Sequence, residues 1–97
     1  MRKAENNMTI SQLAEKSRPM AENIIRPGKF IDDVRRNTTE IINGTDEEKQ
    51  GIAESIVQRN PGVIPDHVED VKEITALVLE IATLLQEDDL KKRQKSN

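Results

Sequence analysis

Residues 71–85 read VKEITALVLEIATLL, and this stretch decides the fold. Five of its apolar side chains recur at alternating spacings of three and four, namely Val71, Ile74, Val78, Ile81 and Leu85. This spacing is the a/d pattern of a helix that packs lengthwise against another helix. Further apolar residues lie between them, at Leu77, Leu79, Ala82 and Leu84. The stretch therefore predicts a long C-terminal helix that must be covered on most of its sides.

The chain before this stretch predicts shorter helices. Apolar residues recur at helical spacing in segments 9–17, 19–26, 29–42 and 45–59, and no segment shows the alternation of a strand. Thr45 with Glu48, and Asp66 with Glu69, have the capping-box spacing that begins a helix, which places the start of the last helix near Asp66. The predicted fold is an all-α bundle of four to five helices with a long C-terminal helix and flexible basic termini.

Charge divides the 97-residue chain into three parts around one domain. Residues 1–36 carry eight Lys or Arg and five Asp or Glu, residues 37–90 carry three and thirteen, and residues 91–97 carry four and none. Terminal segments that are polar and charged are seldom ordered. We expect a disordered basic arm at 1–8, a helical domain at 9–90 and a disordered basic tail at 91–97.

The composition argues against catalysis. The chain has no cysteine and one histidine, His67, so it lacks thiolate chemistry and a multi-histidine metal site. His67 has no predicted nucleophile beside it and is expected to be solvated in a first helical turn. We therefore expect a non-enzymatic protein with no catalytic residue, cofactor, metal or small-molecule substrate. No membrane-spanning run occurs, and the expected location is the cytoplasm of a bacterium or of a phage-infected cell.

The apolar surface of the last helix favours binding to another macromolecule. Four short helices offer about four apolar residues each, so covering every side of the last helix looks difficult for them. The expected interface residues are those of the repeating seam, Val71, Ile74, Val78, Ile81 and Leu85. They predict a homodimer of a small regulator or adaptor that also binds a second protein.

The segment TISQLAEKS, residues 9–17, resembles the opening helix of a helix-turn-helix DNA-binding unit. In that resemblance Ala14 is the small residue that faces the second helix, and Ile24 is a later core position. The chain departs from the family at Arg18-Pro19, where a turn glycine is usual, and at Pro27. The resemblance implies a DNA-binding transcription regulator as the alternative function. The phosphate contacts would then come from Arg18, Arg26, Lys29, Arg35 and Arg36.

Overall fold

The long C-terminal helix forms the axis of the fold. The structure is a computed structural model that describes the backbone of residues 8–95 and the side chains of residues 8–92. The described chain contains six helices and no strand: α1 (Ile10–Lys16), α2 (Arg18–Ile24), α3 (Lys29–Arg36), α4 (Thr38–Asn43), α5 (Asp46–Arg59) and α6 (Val71–Lys95). The prediction of an all-α bundle with a long C-terminal helix is confirmed.

Over residues 75–82, helix α6 is covered on every side by its own chain. Each of the other five helices contacts it. Residues 75–82 are all buried, and eight successive residues at about 100° each pass more than twice around a helix. The core at this level includes Leu77, Val78 and Ile81. The sequence made it look difficult for the short helices to cover every side of the last helix, yet they do so over residues 75–82, because they surround it instead of packing on one side.

A break at Asn37 produces one helix more than the sequence predicted. The segment expected as one helix over 29–42 is divided into α3 and α4. The Asn37 side chain donates to the Asp33 carbonyl at 2.8 Å, and the Thr38 hydroxyl lies 3.1 Å from the Val34 carbonyl. Side chains that bond to nearby backbone groups compete with the helical ladder. The chain can then bend, so that α3 and α4 both reach α6.

The start of α6 differs from the prediction by one helical turn. The helix begins at Val71 rather than near Asp66. Asp70 caps it, since Oδ1 of Asp70 accepts from the Lys72 amide at 2.8 Å. Residues 66 and 67 lie instead in a turn that the Val68 amide closes on the Pro65 carbonyl at 3.0 Å. Asp70, the residue just before the helix, is therefore the N-cap of α6. The predicted capping box of Asp66 and Glu69 does not begin this helix.

Helices α4 and α5 form a tight hairpin around Gly44. The predicted capping box of Thr45 and Glu48 is present, with Glu48 Oε1 accepting from the Thr45 amide at 2.8 Å. Gly44 has φ −74° and ψ 171°, so it is extended and does not adopt the left-handed conformation that is common for a glycine just past a helix end. A Cβ atom at Gly44 would lie 2.6 Å from the Glu40 carbonyl oxygen. Glycine is needed here for space rather than for a positive φ.

The C-terminal end of α6 extends into the predicted tail. The helix continues to Lys95, whereas the sequence predicted disorder from residue 91. Lysines favour the negative end of a helix, and Lys92 lies 3.3 Å from Asp88 one turn earlier. Residues 1–7 of the predicted arm and residues 96–97 of the tail lie outside the described residues. The predicted mobility of both ends stays a prediction.

Candidate protein-binding surface

The predicted interface residues of α6 fall into two groups. Val78, Ile81 and Leu85 are buried under the other helices of the same chain. Val71 is 36% exposed and Ile74 is half-buried, both in the first turns of α6. A dimer seam along all five residues would require the short helices to leave α6. The repeating pattern thus corresponds to the internal core of the chain over most of its length.

Four of the five predicted phosphate-binding residues face carboxylates. Arg35 Nη1 lies 3.1 Å from Asp89, and Arg18 Nη2 lies 3.4 Å from Glu87, so both side chains reach over to α6. Lys29 and Arg36 lie 3.6 and 3.9 Å from the two carboxylate oxygens of Asp33. These carboxylates reduce the positive potential that would attract a nucleic acid.

The remaining basic residue, Arg26, is exposed and follows the end of α2. It makes no ion pair within the part of the chain that the structure describes. Helix α2 would be the recognition helix of the helix-turn-helix resemblance, yet it is seven residues long and packs against α6. Ala14 is buried and Ile24 is half-buried, so both occupy the core positions that the resemblance implied. The structure therefore places the core residues as expected but provides only a short helix to enter a groove of DNA.

A shallow apolar groove runs along the α4–α5 hairpin. We call it the hairpin groove, and its volume is about 500 Å³. Its lining is mostly apolar. The residues that line it are Thr39, Glu40, Asn43, Gly44, Glu48, Gly51 and Ile52. None of them comes from α6, so the groove is formed by α4, α5 and the turn between them. Open apolar surface of this kind is typical of a binding site.

Gly51 is one of the residues that line the hairpin groove. It lies inside α5, where glycine weakens a helix by about 1 kcal/mol relative to alanine. A Cβ atom there would meet nothing within 4 Å. No neighbour in the described structure therefore requires a glycine at this position, in contrast to Gly44. The missing side chain leaves open space above the helix, which a bound side chain could fill.

The rim of the hairpin groove is acidic. Glu40 and Glu48 line it, and residues 38–58 contain five Asp or Glu and one lysine. That single lysine, Lys49, donates to the Gly44 carbonyl at 2.6 Å. An apolar floor with a negative rim fits an apolar side chain that is flanked by basic residues.

A second concave surface surrounds the buried carboxylate of Glu80 on α6. It has a volume of about 390 Å³ and is lined by Glu15, Arg18 and Lys49 among others. Glu80 is 6% exposed, and its nearest cation is Arg18 at 3.9 Å. Burial raises the pKa of Glu80, nearby carboxylates add to the rise, and Arg18 opposes it. Burying a carboxylate whose nearest cation lies at 3.9 Å costs stability. A raised pKa in a concave surface can indicate a functional residue, but it does not show which chemistry the residue performs.

The sequence predicted neither of these two concave surfaces. The one signal available for the hairpin groove was Gly51, because glycine inside a helix without a turn is unfavourable. Glu80 could have been noted as the only acid inside the apolar stretch 74–85. Neither signal shows which residues of other helices lie around Gly51 or Glu80.

Neither a metal-ligand cluster nor a membrane-spanning helix occurs in the described part of the chain. No group of three or more His, Cys, Asp or Glu side chains lies close enough to hold a metal ion, and His67 is exposed in the α5–α6 loop. None of the described helices is both long enough and apolar enough to cross a bilayer. A scan against protein-family models, a search of curated proteins and a search of solved structures found no match to this chain.

Proposed function

We propose that this protein is a non-enzymatic binding module that recognises another protein through the hairpin groove. The bound segment would be a helix with one large apolar side chain flanked by Lys or Arg. The apolar side chain would occupy the space above Gly51, and the basic residues would face Glu40 and Glu48. Docking a helix into a groove is a common mode of protein recognition, in which a few apolar residues supply most of the affinity.

The observation that carries the proposal is the open space above Gly51. A glycine inside a helix costs stability, and no packing contact within the described chain explains it. The proposal assigns that cost to binding, since any side chain at position 51 would occupy the groove. It also explains why the surrounding hairpin carries far more acid than base.

A peptide titration followed by amide NMR shifts tests the proposal. The probe is a synthetic helical peptide with leucines on one face and lysines beside them. We expect saturable shifts at Gly44, Gly51 and Ile52 with wild type, and none with Gly51→Leu, which fills the groove. The matched control Gln50→Leu adds the same side chain one residue away, outside the groove lining, and should bind normally. Shifts that are absent, or that survive in Gly51→Leu, would contradict the proposal.

DNA binding is the competing proposal, and Arg26 is the residue that favours it. Fluorescence anisotropy with duplex DNA distinguishes the two. We expect no binding at physiological salt, because the other predicted contacts lie beside carboxylates. Nanomolar binding that Arg26→Ala weakens, with affinity falling steeply as salt rises, would favour DNA instead.

A further inference from the structure

The carboxylate of Glu80 lies buried at the wall of a cavity and has no hydrogen-bond donor among the side chains of residues 8–92. We call this cavity, of about 390 Å³, the Glu80 cavity; α1, α2, α4, α5 and α6 all contribute to its lining. The Glu80 side chain is 7% exposed, and its nearest cation, Nε of Arg18, lies 3.9 Å away, beyond the length of a hydrogen bond. Buried carboxylates are normally hydrogen-bonded, so the acceptor positions of this one are open to a ligand.

Arg18 is not a dedicated partner of Glu80. Its Nη2 atom lies 3.4 Å from Glu87, and its Nε atom lies 3.7 Å from Glu22, both nearer than Glu80. Lys49 is the other cation in the lining of the cavity, but it donates to a backbone carbonyl of the α4–α5 turn at 2.6 Å. Each cation is thus held by other acceptors of the same chain.

Carboxylates outnumber cations around the Glu80 cavity. Glu15 lines the cavity, and Glu15, Glu22 and Glu87 all lie close enough to raise the pKa of Glu80, which Arg18 opposes. The side chains of the structure therefore place four carboxylates here against the two cations named above. An excess of negative charge inside a concave surface attracts a positive ligand.

The lining favours a primary ammonium group over other cations. Within residues 8–92 no set of three or more His, Cys, Asp or Glu side chains is close enough to hold a metal ion. The described lining has no aromatic side chain, so it lacks the ring face that binds a quaternary ammonium. The hydroxyls of Ser11 and Thr83 line the cavity with Glu80, and the Thr83 hydroxyl donates to the Leu79 carbonyl at 2.9 Å, which leaves its oxygen able to accept. A carboxylate and two hydroxyls match in number the three N–H donors of an ammonium group.

We propose that the Glu80 cavity binds the ammonium group of a small primary alkylamine. The ammonium donates to the Glu80 carboxylate and to the two hydroxyls, and the alkyl chain lies against Ala14, Ile42 and Leu79 in the same lining. Binding supplies the direct hydrogen bonds that offset the burial of the carboxylate. This site goes beyond the proposed function and is independent of it, because no residue lines both this cavity and the hairpin groove.

Titration of the full chain with n-butylammonium chloride at pH 7 and constant ionic strength, followed by NMR shifts, tests the site. We expect saturable shifts at Leu79, Glu80 and Thr83, and none with n-butanol, the neutral analogue of the same length. Glu80→Gln should weaken binding about tenfold or more, because it removes the charged acceptor. The matched control Glu47→Gln removes the same charge at an exposed position of α5 outside the lining and should bind like wild type. No saturable shift up to tens of millimolar, or equal affinities of the two variants, would overturn the inference.

Arg18→Gln gives a second test, because it should strengthen binding. Arg18 is the cation nearest to Glu80 and repels a second cation, and its side chain is half exposed, so its removal should leave the fold intact. We expect n-butylamine to bind roughly twofold to fivefold more tightly to this variant, which is the size of an interaction with a half-exposed charge. Unchanged or weaker binding would show that the amine does not bind beside Glu80.

A blocked lysine distinguishes a free amine from the side chain of a protein partner. N-acetyl-lysine methylamide has the same ammonium and alkyl chain, but it carries two peptide groups in addition. We expect it to bind no more tightly than n-butylamine, because the proposed contacts involve only the ammonium and its chain. Much tighter binding of the blocked lysine would assign the site to a lysine of another protein and overturn the choice of a small amine.

Discussion

The side-chain amide of Asn60, at the end of α5, donates a hydrogen bond of 3.0 Å to Oδ2 of Asp33 on α3. Both residues are buried, and the same amide nitrogen also donates to the Ile56 carbonyl at 2.7 Å. Asn60 therefore ends α5 and fixes it to α3 at once. The bond from Asn60 is the main reason that the pKa of Asp33 lies below its ordinary value of 3.8, with Lys29 and Arg59 also lowering it against the effect of burial.

Asn60→Ala should destabilise the protein by about 1–3 kcal/mol, because it removes the 3.0 Å side-chain donor of the buried Asp33 carboxylate and leaves only Lys29, at 3.6 Å, beside the same oxygen. Urea unfolding followed by circular dichroism measures the change. Gln58→Ala, at an exposed position of the same helix, should change the free energy of unfolding by less than about 0.5 kcal/mol. Equal effects of the two substitutions would contradict a special role for Asn60.

The Asp33 carboxylate predicts a loss of stability in acid. Its pKa is lower in the folded chain than in the unfolded chain, so the folded state favours the charged form. The stabilisation is complete above the ordinary value of 3.8 and is lost as the pH falls through the lower pKa of the folded state. Wild type should exceed Asp33→Asn in unfolding free energy at pH 7, and this difference should shrink below pH 3.8. A difference that does not depend on pH would show that the charge is not involved.

Glu80 predicts the opposite pH dependence. Burial raises its pKa above the ordinary value of 4.5, so the folded state favours the neutral acid. That contribution is complete below 4.5 and is lost as the pH rises through the raised pKa. Glu80→Gln should therefore gain stability relative to wild type as the pH rises from 4 to 7. Urea unfolding at both values measures this, and a gain that is larger at pH 4 would disprove it.

The two hairpin glycines should respond in opposite directions to alanine. Gly51→Ala should stabilise the protein by about 0.4–1 kcal/mol, because a Cβ meets open space and reduces the entropy of the unfolded chain. Gly44→Ala should destabilise it by about 1–3 kcal/mol, because its Cβ would collide with a backbone oxygen that has little room to move. Thermal unfolding of both variants compares them. Destabilisation by Gly51→Ala would mean that position 51 is not open.

Two apolar residues of α6 should differ sharply in their effect on stability. Ile81→Ala should cost about 2–5 kcal/mol, since Ile81 is fully buried within the chain. Leu90→Ala should change the unfolding free energy by less than about 0.5 kcal/mol at a concentration where the protein is monomeric. Urea unfolding at low protein concentration checks both. A large loss at Leu90 would place it in the core rather than on the surface.

Local signals in the sequence determined most of the helices. Thr45 and Glu48 begin α5 as their spacing predicted, and the apolar repeat from Val71 to Leu85 forms one long helix. Such features depend on residues within one or two turns of each other, so a single segment encodes them. The wrong predictions also depended on local features, namely which of several nearby groups forms a hydrogen bond. Asn37 bonded back to the Asp33 carbonyl and broke a helix, and Asp70 rather than Asp66 capped α6.

Only the tertiary structure decided what each surface faces. The repeat of Val78, Ile81 and Leu85 has the same spacing whether its partner is another copy or the same chain, and here the same chain covers it. The hairpin groove depends on how α4 lies against α5, and the setting of Glu80 depends on α1, α2 and α5 meeting α6. Burial and electrostatic environment come from residues far apart in sequence, because the hydrophobic effect favours any arrangement that removes apolar surface from water. Periodicity therefore determined that α6 must be covered, and packing determined that its own five helices cover it.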